Sequence, residues 1–188
     1  GAAVLALGYP MLANLTIRQV AEPFMRAFSD YAQANVSLAM LDRDRLVYVE
    51  TCRWAASTAE HRPDIGLIWP LDGAIGRAFL VGMPANERKL LLNVLRVQEP
   101  ERWDSLVEKV REALDEYDRV GFCKAYAEVQ PGVFGVAVPI KPVIQGNRFA
   151  INCAVPATPD AKDKILNDYG PRLVQMAASV EAALGTLD

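Results

Sequence analysis

Apolar positions first become regular at Thr16, after which Ile17, Val20, Ala21, Phe24, Phe28 and Tyr31 fall on one face of a helical period. This predicts a helix with one buried stripe. Thr16 to Gln19 has the form of a capping box at its start. Pro23 has no N–H to donate and is expected to bend the helix or limit its first turns. Two β-rich runs follow, 36–41 and 46–52, joined by the polar Asp42 to Arg45 as in a hairpin. Residues 53–68 hold no period and contain Pro63 and Gly66, which predicts a long loop of the kind that serves as a lid.

Helical spacing resumes over 73–81 and 86–95. It returns after Pro100, where Trp103, Leu106, Val107, Val110, Leu114 and Tyr117 share a face until Gly121 stops the run. Strand-like runs come next at 122–127, 133–140 and 148–155, with the turn "IQGNR" joining the last two. A final helix is expected from Thr158-Pro159, with proline at its first position, a kink at Pro171 and an end at Gly185. It sets Ile165, Tyr169, Leu173, Met176, Val180 and Leu184 in one stripe. Strands and helices arrive in blocks rather than in alternation, so the expected class is α+β, an antiparallel sheet with helices packed on it.

The chain has 188 residues, 52% of them apolar, enough for one substantial core. A net charge of −3 gives no electrostatic footprint for a polyphosphate backbone, so this segment is not expected to grip DNA by itself. Its basic residues are interleaved with acids: Arg43 and Arg45 flank Asp44, and Lys162 and Lys164 flank Asp163. Cys52, Cys123 and Cys153 form no short-range pair motif, which points to a reducing, cytoplasmic setting. His61 is the single histidine, so neither a metal site nor a histidine-based triad is expected, and no catalytic residue or cofactor is assigned. The amino end, "GAAVLALGYPMLANL", lacks the basic flank of a secretory leader, and no apolar run approaches the roughly 20 residues that cross a bilayer. No membrane partner is expected.

Several stretches together carry a resemblance: "TIRQVAEPFMRAFSDYAQANVSLAMLDRDRLVYVE", "WPLDGAIGRAFLVGMP", "DRVGF", "AEVQPGVFGVAVPI" and "FAINCAVPA". Over nearly its whole length the chain resembles the carboxy-terminal effector-binding domain of IclR-type transcriptional regulators. The resemblance implies a GAF-like fold that holds a small-molecule effector and packs into a homodimer or homotetramer. DNA would be contacted only through a winged helix-turn-helix that this chain does not include. Residues 1–15 would then be the linker from that part, and 16–188 the effector-binding domain. In the family's local signature Gly121, Glu128, Val136 and Ala137 stand at the expected spacings, while Ala125 replaces an acid or serine and Gly135 a cysteine, serine or alanine. Lys141-Pro142 also departs from it.

The stretch "WPLDGAIGR" carries the chemistry. Asp72 is placed to cap the helix beginning near Gly73, and its charge suits the positive end of the dipole. Gly73, Ala74 and Ile75 leave backbone N–H groups uncovered at that helix start, a means of holding a carboxylate without basic side chains. Trp69 reads equally as pocket wall or core. By position in the family, Val133 and Gly135, Ala125 on the neighbouring strand, and Cys153 would line the cavity. Glu128 would anchor the following turn through backbone amides or touch ligand. With Ala125 and Gly135 in place of polar, larger residues, an aromatic or branched carboxylic acid is the expected effector. Two rival readings are a GAF-like redox enzyme using cysteine, of the methionine sulfoxide reductase type, and an oligomerisation module with a vestigial pocket.

Overall fold

The computed structural model describes residues 2–55, 65–69 and 71–186, apart from the side chains of Val4, Leu5, Leu7 and Trp69. The expected lid therefore lies mostly outside the described residues, and His61 with it.

Residues expected as linker form a helix, α1 (Ala2–Ala13), that contains Pro10. It runs almost directly into α2 (Thr16–Ala32), whose N-cap is Leu15 and makes no side-chain hydrogen bond. The capping box does not form, because Thr16 is already helical and its N–H donates to Gln145 Oε1 instead (3.2 Å). Gln19 Nε2 turns back to the Ala13 carbonyl (3.3 Å), tying the two helices together. Ile17, Ala21, Met25 and Phe28 form the buried stripe.

Among the described residues six strands form one sheet in the order β3-β2-β1-β6-β5-β4, with every neighbouring pair antiparallel. They are β1 (Asn35–Asp42), β2 (Arg45–Cys52), β3 (Ile68–Trp69), β4 (Cys123–Tyr126), β5 (Val133–Ile144) and β6 (Asn147–Pro156). β1 and β2 form the expected hairpin, as do β5 and β6, where Gln145 and Gly146 close the turn with positive φ (49° and 75°). Pro139 and Pro142 are tolerated in β5 because β4 pairs only with Phe134 to Ala137, so an edge opens beyond that point. There the Lys141 N–H donates to Glu181 Oε1 (2.7 Å).

On one face of the sheet lie α2 and α7 (Gly170–Gly185), closing a core around Val36, Leu38, Val136, Val138, Ile151 and Cys153. The opposite face is covered by α3 (Ala74–Gly82) and α5 (Trp103–Val120), with α4 (Ala85–Gln98) outside them. The sheet residues there are small, Ala39, Cys123, Ala125, Ala137 and Ala150, which lets α3 settle close. Val110, Ala113, Leu106, Leu114 and Tyr117 give the inward face of α5, whereas Val107 is exposed. Gly121, with φ 79°, ends that helix and returns its N–H to the Tyr117 carbonyl (2.8 Å).

The carboxy-terminal helix starts later than expected. Pro159 precedes it, and α6 (Ala161–Lys164) leads through a wider π turn, Ile165–Tyr169, into α7. The π turn ends two residues before Pro171, whose ring offers no N–H to Asn167, so the helix widens where a kink was expected.

Candidate functional site

A cavity of about 400 Å³ opens where the amino end of α3 meets the sheet. Helix α3 starts from an extended Gly73, and its first internal hydrogen bond runs from the Arg77 N–H to the Gly73 carbonyl (3.0 Å). The N–H groups of Ala74, Ile75 and Gly76 therefore have no acceptor within the helix. This end of the helix carries partial positive charge. Two close approaches hold it in place. A Cβ on Gly76 would sit 2.1 Å from the Leu71 carbonyl oxygen, so the chain before α3 doubles back directly over it. A Cβ on Gly135 would sit 3.1 Å from the Ala74 methyl, so the space left at 135 is taken up by α3. That glycine seats the helix more than it enlarges the cavity.

The structure brings Gly73, Ala74, Ile75, Ala125, Glu128, Val133 and Gly135 together around this cavity. Cys153 is not among them. On β6 it alternates with Asn152 and Ala154, and it points into the α2–α7 core while those two face the cavity. Asp72 is displaced as well: α3 starts one residue later than a cap at 72 requires. Its Oδ2 accepts from Arg102 Nη2, and the residue lines a second, charged cavity of about 230 Å³. Asp72 is not among the residues lining the first cavity. Trp69 pairs with Leu46 in β3, and its side chain lies outside the described part.

Sequence reasoning missed the wall supplied by β1, β2 and the centre of β6. Asn35 and Ser37 alternate with apolar residues on β1 and face the cavity, with Tyr48 and Arg53 beyond them and Asn152 beside them. The signal was polar alternation in otherwise apolar strands. A bulge sharpens it: Leu38 pairs with Glu50 and Ala39 with Tyr48, leaving Val49 unmatched. The extra residue lets Tyr48 and Thr51 share one face, and Thr51 Oγ1 lies 2.9 Å from Ser37 Oγ. Polarity absent at Ala125 thus returns from other strands.

Glu128 stands at the junction of the two cavities. Its Oε2 accepts from Arg77 Nη2 and from Lys109 Nζ (3.0 Å), and its Oε1 from the Tyr126 N–H (3.4 Å). Arg77 is buried and donates its other arm to the Lys124 carbonyl (2.7 Å). Burial works to raise the Glu128 carboxyl, but Arg77 and Lys109 outweigh it and hold the group below the ordinary 4.5. It ties α3, α5 and β4 together.

Burial pushes the Cys123 and Cys153 thiols up to about 12 and Cys52 to about 11. All three are free and protonated at neutral pH, which is poor preparation for thiolate chemistry. Among the described residues no group of acids, cysteines and histidines is arranged to hold a metal ion, and no helix is long and apolar enough to cross a membrane.

Comparison with known proteins places this architecture. Residues 10–182 match the family model "Bacterial transcriptional regulator IclR C-terminal". The HTH-type transcriptional regulator TsaQ1/TsaQ2 of Comamonas testosteroni is 29% identical over 187 residues, spanning 98% of this chain and 67% of that protein. An IclR family transcriptional regulator from Brucella abortus superposes with a TM-score of 0.88 at 38% identity, covering 96% of this chain and 68% of that one. An IclR homologue from Microbacterium hydrocarbonoxydans, solved in complex with 4-hydroxybenzoate, shares the fold with a TM-score of 0.69 at 19% identity, over 92% and 69% of the two chains. A GAF-like α+β architecture, a match over residues 10–182 and regulators as relatives lead to one assignment: the chain belongs to the IclR C-terminal family of bacterial transcriptional regulators.

Proposed function

We propose that this chain senses a small organic acid, an aromatic or branched carboxylate, held in the cavity beneath α3, and that occupancy alters DNA binding by another part of the regulator. One observation carries the reading: the N–H groups of Ala74 and Ile75, without acceptors in their own helix, stand at a cavity of about 400 Å³ whose nearby walls are Ala125, Val133, Gly135 and Ala154. An anion receives those donors while its apolar body meets small, apolar side chains. The 4-hydroxybenzoate complex of the distant homologue supports the reading by analogy of fold.

Regulation follows if the effector favours one packing of the protomers in a homodimer or homotetramer over another, changing the spacing of the DNA-binding heads. Light scattering of the purified chain is expected to give the mass of a dimer or tetramer; a monomer at every concentration would remove this route.

A thermal-shift panel of aliphatic and aromatic carboxylates tests the binding claim, with Ala74→Trp filling the cavity as control. An acid at one hundred times its dissociation constant should stabilise the parent by about 2.7 kcal/mol and leave the variant unmoved. A panel without any shift in the parent would defeat the proposal.

A further inference from the structure

We propose that occupancy of the cavity is passed to α1 through Glu50 and Arg18; this rests on the anion-binding reading of the cavity given above. The route starts at the wall. Ser37 lines the cavity, and its hydroxyl oxygen lies 2.9 Å from that of Thr51 on β2. The Thr51 N–H donates to the carboxylate of its neighbour, Glu50 Oε1 (2.9 Å), and Glu50 Oε2 accepts from Arg18 Nη2 in the first turn of α2 (2.6 Å). The other arm of Arg18 reaches α1, where Nη1 donates to the Leu12 carbonyl (3.1 Å). An unbroken run of polar contacts thus leads from the cavity wall to the last turn of a helix that does not itself line the cavity.

Three features make this run a joint rather than a brace. The bulge that leaves Val49 unmatched falls immediately before Glu50, so the ladder is already disrupted where Tyr48 meets the cavity on one face of β2 and Glu50 turns to α2 on the other. The side chains of Arg18 and Glu50 are only 19% and 17% exposed, and charges so enclosed follow one another instead of exchanging a partner for water. Arg18 Nε is buried without an acceptor among the described residues. A donor left unmet raises the energy of the present arrangement relative to one that meets it, the condition for an equilibrium that a ligand can bias. Gln19 and Gln145 hold the neighbouring Ala13 and Asn14 carbonyls (3.3 and 2.9 Å), but neither residue lines the cavity. The route to α1 therefore runs through Arg18.

Amide hydrogen exchange of the 188-residue chain at Leu12, Ala13 and Asn14, with and without saturating benzoate, reads the transmission, while isothermal titration reads binding. Benzoate is expected to change exchange at these amides by about fivefold or more in the parent. Glu50→Gln should bind benzoate as tightly as the parent and lose that change. Arg18→Gln, which cuts the run from the other side, should do the same, and Arg18→Lys, which keeps the charge, should retain part of it. Circular dichroism checks that the variants fold, and Arg18→Gln carries the test if Glu50→Gln does not. A pair with a structural role alone would raise exchange by the same factor with and without benzoate, leaving the difference intact. Such a surviving difference, or α1 amides indifferent to benzoate that binds the parent, would overturn the transmission and leave the anion-binding reading standing. If benzoate does not bind the parent, the anion-binding reading fails and this inference with it.

Discussion

Glu128 shows how much one side chain can organise. Replacing it with glutamine removes the charge that Arg77 and Lys109 share, leaving a buried guanidinium short of its partner, and is expected to cost about 1–3 kcal/mol in urea unfolding. The pH dependence has a definite sign. Because its folded pKa lies below the ordinary 4.5, Glu128 contributes stability that is complete above that value and lost as the pH falls through the folded one. The stability gap between wild type and Glu128→Gln should therefore narrow from about pH 7 to below about pH 4; a gap that stayed constant would show that the charge is not what stabilises. The thiols supply a second residue-scale test. All three should resist a thiol reagent in the native protein at neutral pH and react once guanidinium unfolds it, whereas one fast native thiol would reopen the redox reading. The sequence reading had Glu128 anchoring the turn after it through backbone amides or touching ligand, whereas its donors among the described residues are Arg77, Lys109 and the Tyr126 N–H before it. Its bonds to Arg77 and Lys109, 51 residues and another helix away, had no sequence signal because a salt bridge leaves no periodicity.

Among the elements, α3 is the one on which the account depends. Gly76→Ala drives a methyl into the Leu71 carbonyl, backbone against backbone. It should destabilise the fold by about 1–3 kcal/mol and weaken carboxylate binding, because the first turn of α3 has to move. A variant as stable and as tightly binding as the parent would mean that the approach over Gly76 is not needed. Most elements could be read from the spacing of apolar residues, since each buries one face: the α2 stripe, both hairpins, and α3 to within a residue. What failed was finer. The capping box at Thr16 and the cap at Asp72 each rested on one residue's register, and tertiary partners, Gln145 and Arg102, drew those groups away. On β6 a choice between adjacent residues decided the face: Cys153, expected to line the cavity, fell into the core, and its neighbour Asn152 faces the cavity.

At the scale of the whole molecule, the sheet separates two functions. Its α2–α7 side is filled with large apolar residues, while its α3–α5 side carries small residues and leaves the cavity of about 400 Å³ open. The block order of strands and helices already implied such layers, but a cavity is a gap between elements distant in the chain, so its β1 and β2 wall became visible only in three dimensions. The central claim is that a carboxylate sits on the first amides of α3. Its most direct test is an amide NMR titration of the isotopically labelled chain with benzoate. The Ala74, Ile75 and Gly76 signals are expected to move first and most, with Ala125 and Gly135 following, and Ala74→Trp to abolish the response. Perturbations confined to the charged cavity around Arg102 and Asp72, or scattered over the surface, would contradict it.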